Sequence, residues 1–276
     1  MTPLSPEDAL ERARFNYGKV VSVSFSPDSA APCFSFFKAD LASAYSNKIR
    51  EYSRSYCFMD LEEEGVPAAV VVYDNLKTRK ACPSFWKVNT LVKPEYTTEG
   101  IRLSSYGDTT GHAYIIPLLP RKDNIVTELS SIRDSSSILG KQFQIRYPRI
   151  EADAYQVVES LKEESDAPQF LNLIQITTGN EPPLPYSCSE KDGWILITIA
   201  DRLVCIRKDN DEFDGDISFP SQGNNLKVLV TGLKPGTWTL TGADGRSFDH
   251  KVKERDNSLS FSCNGSDWNL SRRTTS

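Results

Sequence analysis

From Gly18 onward the apolar residues recur at every second position, in one short run after another. VVSVSFS (20–26) alternates valine and phenylalanine with serine, and YSRSYCFMDL (52–61), AAVVVYD (68–74), SFWKVNTL (84–91) and HAYIIPLL (112–119) continue in similar style. FLNLIQITT (170–178), WILITIA (194–200), LVCIRK (203–208), LKVLVTGL (226–233), TWTLTG (237–242) and SLSFSC (258–263) follow. A period of two suits a strand with one face buried and cannot build an amphipathic helix. Asn-Gly, Asp-Gly, Pro-Gly and Gly-Asp pairs separate many of the runs, and many short strands with regular turn signals indicate antiparallel sheets. The expected fold is therefore all-β, an antiparallel two-sheet β-sandwich followed by a smaller β-module. Asp244-Gly245 is expected to make a type I′ hairpin turn in that module.

Two stretches depart from the rhythm. Ser5 at an N-cap, Pro6 at the first helical position and Asp8 three residues after Ser5 predict one short N-terminal helix ending near Tyr17-Gly18. Residues 152–168 (ADAYQVVESLKEESDAP) are charged and moderately helical, and read as an excursion or long loop. The Pro-rich stretch 179–193 is the expected boundary between parts. A chain of 276 residues holds one large domain or two small ones. The division is 1–17 for the helix or linker, 18–180 for the large sandwich and 181–276 for the smaller module.

Composition narrows the function classes. With 32 Lys and Arg against 37 Asp and Glu the formal charge is −5, so nucleic acid and anionic membrane surfaces are not expected partners. No apolar run approaches the length of a membrane-spanning helix, and MTPLSPEDALERARF lacks the apolar core of a signal peptide. The 4 Trp, 11 Tyr and 13 Phe imply a true core. GxSxG, GxxxxGK[ST], GxGxxG and HExxH are all absent.

Single residues carry little chemistry by themselves. His112 and His250 are the only histidines, and each reads as an ordinary strand-end or surface residue. DNDEFDGD (209–216) resembles a calcium loop, but Phe213 occupies the fifth loop position and Asp214 the sixth, where glycine is needed. It reads as a solvated hairpin tip, and no metal or cofactor is expected. KTRK (77–80) and RK (121–122) read as solvated turns that could also guide an anionic polymer. Trp86, Trp194 and Trp238 sit in strand patterns and are expected in the core; Trp268 is open between core and surface. The six cysteines form no CxxC; buried thiols are the ordinary reading, and a disulfide stays open. Asn264-Gly265-Ser266 and Asn269-Leu270-Ser271 match the glycosylation sequon.

Several phrases occur in a familiar order. They are GKVVSVSFS (18–26), FFKADLASAYSNKIREYSRSYCFMDL (36–61), PAAVVVYDNLKT (67–78) with FWKVNTL (85–91), and GHAYIIPLLPRKDNIVTEL (111–129). YPRIEA (147–152) with FLNLIQI (170–176), and LVTGLKPGTWTL (229–240), complete the series. From Gly18 to about Leu270 the chain resembles the C-terminal β-rich region of heparinase II/III-type polysaccharide lyases, including alginate-type relatives.

That resemblance implies an acidic, uronate-containing polysaccharide as substrate, cut by β-elimination at a site between this β-region and an α/α toroid. The toroid supplies a Tyr acid/base and charge-neutralising residues; the start of the β-region supplies a His. This sequence holds neither the toroid nor the His-Asn phrase, so it is expected to be inactive alone and to need an α/α-toroid catalytic domain or subunit. The family is usually periplasmic or secreted. Asn89 stands where relatives have the His of a Leu-His-Thr phrase, which removes the zinc ligand that some of them use. Asp40 and Tyr45 match the family's Asp-to-Ala-Tyr phrase, and Phe37 stands where an aromatic is usual. These three are the candidate substrate-binding residues, packing around a turn being the alternative; no catalytic residue is assigned. A stand-alone carbohydrate-binding or structural sandwich is the alternative function.

Overall fold

The computed structural model describes residues 18–45, 48–107, 110–131, 137–138, 141–142, 155–219, 225–263 and 267–273. Within them the regular structure is β-strand, apart from two single-turn 3-10 helices at Ala42–Ala44 and Lys122–Asn124. The helix expected at 5–17 lies outside the described residues, as do the phrase 147–152 and the sequon at Asn264.

Among the described residues four sheets lie one on another, in addition to a two-stranded ribbon of Ser137–Ile138 and Lys141–Gln142. The main sheet has eight strands, in the order Lys19–Ser26, Phe34–Asp40, Ile49–Glu63, Val66–Thr78, Gln169–Thr178, Gly111–Leu119, Ile101–Ser104 and Glu95–Tyr96. A small sheet of Phe85–Thr90, Tyr155–Leu161 and Ile125–Ser131 covers part of one face. An inner sheet of Tyr186–Lys191, Trp194–Ile199, Arg202–Arg207, Leu226–Thr231 and Ser258–Cys263 covers the other. An outer sheet of Ile217–Phe219, Trp268–Arg272, Gly236–Gly242 and Ser247–Val252 packs on the far side of the inner one. Pairing within these sheets is antiparallel except between Arg202–Arg207 and Leu226–Thr231. Between those two the chain leaves the inner sheet, adds Ile217–Phe219 to the outer sheet and returns.

Alternation assigns each residue to a layer. In Trp194–Ile199 the three isoleucines face Phe34, Met59, Val71 and Leu173 of the main sheet. Trp194 and Leu196 face Trp238, Leu240 and Trp268 of the outer sheet. Val204 and Ile206 against Leu203 and Cys205 repeat the division one strand over. A sheet buried on both faces needs apolar residues in both phases, so these strands read as near-continuous apolar runs. Ionic contacts join the same layers: Arg202, fully buried, reaches Glu62 of the main sheet at 3.0 Å, and Lys227 meets the same carboxylate at 2.6 Å.

The stretch 152–168 corrects the helical reading. Tyr155–Leu161 is the central strand of the small sheet, and Val157 and Glu159 point inward to the main sheet. Its charge suggested an excursion or long loop, but Glu159 is inside. The turn at Asp244-Gly245 is also not type I′. That turn needs positive φ at both central residues, and only Gly245 has it (φ 78°). The type I′ signature falls at Asp192-Gly193, with φ of 50° and 81°, between the first two inner-sheet strands.

Candidate functional site

Along Phe34–Asp40 the residues facing the inner sheet are Phe34, Phe36, Lys38 and Asp40, so the inward phase turns from apolar to charged in mid-strand. The neighbouring strands do the same with Ser22, Ser53 and Ser55. Polar side chains facing one another across two layers cannot close into a dry core, and the layers part. The result is a cleft of about 450 Å³. Its second wall comes from Arg207, residues 209–212, Thr231, Gly232 and Asn257.

Most of its charged groups are held in place. The Arg207 guanidinium forks Asp209 at 2.8 and 2.5 Å and lies over the rings of Trp194 and Phe213, 5.3 and 5.0 Å from their centroids. Gly232 makes room for it: at φ 75°, a Cβ there would sit 2.5 Å from the Arg207 Cβ. Lys77 pairs with Glu51 at 2.9 Å, and Asn257 donates to Glu212 at 2.8 Å. Lys38 differs, because its Nζ donates to the Asp209 backbone carbonyl at 2.9 Å rather than to a carboxylate. Burial pushes its ammonium down to about 8, against the opposing pull of the Asp209 charge. Arg50 stands exposed at the rim. The cleft can therefore hold hydroxyl groups along its serines and carboxylates, and one anionic group near Lys38 and Arg50.

The three residues singled out from sequence are distributed over two places. Asp40 lines the cleft, and its Oδ1 accepts the Ala42 N–H at 3.0 Å, which fixes the 3-10 turn after the strand. Phe37, one residue out of phase with Lys38, points to the opposite face and stacks on Tyr56 with centroids 4.7 Å apart. Tyr45 rests on Tyr52 at 5.2 Å, and Tyr52 itself borders the cleft. On the Phe37 face the register also aligns Val23, Phe25 and Phe58. Phe25, Phe37 and Phe58 are 54%, 40% and 42% exposed, so this part of the main sheet has a bare aromatic face beyond the small sheet's cover. Arg54 lies on that face, clamped by Asp74 at 2.6 and 2.7 Å.

Other motifs fall elsewhere. All four tryptophans are buried, including Trp268, so none is a surface platform for sugar. The acidic run is largely solvent-exposed, as a solvated segment should be, while Asp209, Glu212 and Asp214 bind Arg207, Asn257 and Lys234 and its first residues line the cleft. Among the described residues no group of three or more His, Cys, Asp or Glu could hold a metal ion. His112 meets Ser104 at 3.1 Å, away from the cleft. All six cysteines are free thiols. Lys38, Arg50 and the Arg207–Glu212 wall went unread in the sequence. The available signal was a lysine in the buried phase of FSFFKAD.

Residues 188–272 match the family model described as the heparinase II C-terminal domain. The C-terminal part of this chain is similar to the heparinase II C-terminal domain. The matched residues supply the Arg207 and 209–212 wall of the cleft together with Thr231, Gly232 and Asn257. Among solved structures the chain is similar to heparan sulfate lyase HepC from Pedobacter heparinus, with TM-score 0.46 and 12% identity over 71% of this chain and 29% of that one. A mutant of the same lyase gives TM-score 0.44 and 12% identity, over 71% of this chain and 28% of that one. The chain thus spans less than a third of the length of either. Comparison with curated proteins finds no match.

Proposed function

We propose that this chain is the β-region of a heparinase II/III-like polysaccharide lyase, acting on uronate-containing polysaccharide by β-elimination only in company with an α/α-toroid domain or subunit. The observation that carries this reading is the match of residues 188–272 to the heparinase II C-terminal domain. The bare aromatic face of Phe25, Phe37 and Phe58 supports it as the surface for the toroid, since large exposed apolar patches mark interaction sites. The cleft's composition supports a binding role. Elimination needs a base for the C5 proton, an acid for the leaving oxygen and a positive group against the carboxylate. Lys38 and Arg50 suit the last task. Neither histidine lines the cleft, and burial holds the Tyr52 phenol far above its ordinary range, unfit as a base.

The purified chain incubated with heparan sulfate or alginate should give no rise in the ultraviolet absorbance of unsaturated uronate. Turnover by the chain alone overturns the reading. Uronate oligosaccharide should still bind, more weakly as salt rises and as pH passes 8 and Lys38 loses its proton. Lys38→Met should lower that affinity roughly 10-fold, the worth of a charge-assisted hydrogen bond. A second reading, glycan binding with no lyase partner, is favoured by the stacked Phe37–Tyr56 pair on an exposed face. It is distinguished by Phe37→Ala, which should weaken glycan binding under that reading and toroid association under the first.

A further inference from the structure

Between the small sheet and the main sheet lies a polar pair that neither the cleft nor the aromatic face uses. Glu159 of Tyr155–Leu161 is 0% exposed, inside a cluster of Trp86, Ile101, Ile115, Val157 and Phe170. Asn172 of Gln169–Thr178 is equally buried, and its Nδ2 donates to Glu159 Oε2 at 2.9 Å. The other halves of the same two groups, Glu159 Oε1 and Asn172 Oδ1, have no hydrogen-bond partner. Both are acceptors when Glu159 is ionised, so two buried lone-pair groups lack a donor. One proton satisfies both. A carboxylic acid O–H on Oε1 donates to Asn172 Oδ1 while the amide donates to Oε2, closing a ring of two hydrogen bonds.

We propose that Glu159 and Asn172 form a cyclic acid–amide pair whose single proton latches the small sheet to the main sheet, and that loss of this proton loosens the small sheet. Within the small sheet Glu159 is flanked by Trp86 and Thr127, and the opposing strand presents Phe170, Asn172 and Ile174. Burial and the Asn172 contact are the influences on its carboxyl, and among the described residues no charged group from either sheet acts on it. Burial outweighs the Asn172 contact and pushes the carboxyl up to about 7. The folded form therefore keeps a proton that the unfolded chain has already released above its ordinary range near ~4.3. Between those values the folded state binds more protons, and stability falls as pH rises. The latch is complete in mild acid and opens through neutrality.

The test compares wild type with Glu159→Gln, whose amide forms the same two-bond ring with Asn172 and carries no titrating proton. From about pH 5 to pH 7 the wild-type unfolding equilibrium constant should rise roughly 10-fold per pH unit relative to the variant. Hydrogen exchange along Tyr155–Leu161, corrected for its intrinsic pH dependence, should accelerate in wild type through neutrality and not in the variant. Equal pH slopes for the two proteins overturn the proposal. A direct measurement covers the case of a variant that does not fold. At pH 6, where ordinary carboxyls are ionised, wild type should show the infrared carbonyl stretch of a protonated carboxyl group. Its absence means that Glu159 is buried as an anion, and the latch does not exist.

Discussion

Residues 181–276, produced without residues 18–180, should associate or aggregate rather than remain a monomer. The physical reason is the inner sheet. Ile195, Ile197, Ile199, Val204, Ile206 and Leu229 are all buried against the main sheet. Removing that sheet uncovers six large aliphatic side chains on one flat face. Monomeric proteins seldom expose contiguous apolar patches beyond a few hundred Å², roughly the scale of such a face. Arg202 and Lys227 would lose Glu62 at the same time, leaving the fully buried Arg202 with only its neighbour Asp201. Sedimentation and binding of an environment-sensitive dye report the outcome. A dispersed monomer that binds no dye would show that the two parts fold independently, as a division at residue 180 into separate domains implies. Ile197→Asp in the full chain is the companion change. It places a carboxylate in the same interface at a cost of several kcal/mol, about the whole stability of many domains.

Trp238→Ala should be the most costly single truncation between the inner and outer sheets. Trp238 is fully buried among Trp194, Leu203, Val230, Leu240 and Leu270, and its indole N–H donates to the Lys234 carbonyl at 2.9 Å. The alanine variant loses the transfer energy of the ring, leaves a cavity and strands a carbonyl acceptor. Such losses come to about 3–5 kcal/mol. In urea the midpoint should move down while the slope stays constant if unfolding remains all-or-none. Trp238→Phe keeps most of the volume and loses the donor, so it should fall between wild type and alanine. A loss under about 1 kcal/mol for the alanine variant would mean that the outer sheet does not rest on Trp238.

How much of this was legible differs from residue to residue. In VVSVSFS the serines at 22, 24 and 26 mark one face, and the structure buries that face toward the cleft and core. Period two does not say what a buried face meets. Lys38 is in phase with Phe34 and Phe36 but went unread, and only the arrival of Asp209, just after the inner-sheet strand Arg202–Arg207, gives its ammonium a partner. Phe37 and Asp40, both chosen by resemblance, are separated onto opposite faces by their odd spacing. Tyr155–Leu161 was hidden because Glu159 sits in its buried phase, and a charged residue there breaks the pattern that marks a strand.

By itself the sequence determined what is local. Alternation gave strands, turn residues ended most of them, and the phrases from Gly18 to Leu270 gave the family resemblance. The continuous apolar runs WILITI and LVCIR, taken with the others as half-buried strands, belong to a sheet covered on both faces. Only the tertiary structure decided which sheet covers which face, because layer order rests on contacts between residues far apart in the chain. Phe34 with Ile197, Glu159 with Asn172 and Lys38 with Asp209 each bring together strands whose separate sequences record burial but not the partner. The cleft follows from the same cause. It lies where the inward faces of two such strands turn polar at the same height, a coincidence that exists only once the layers have been stacked.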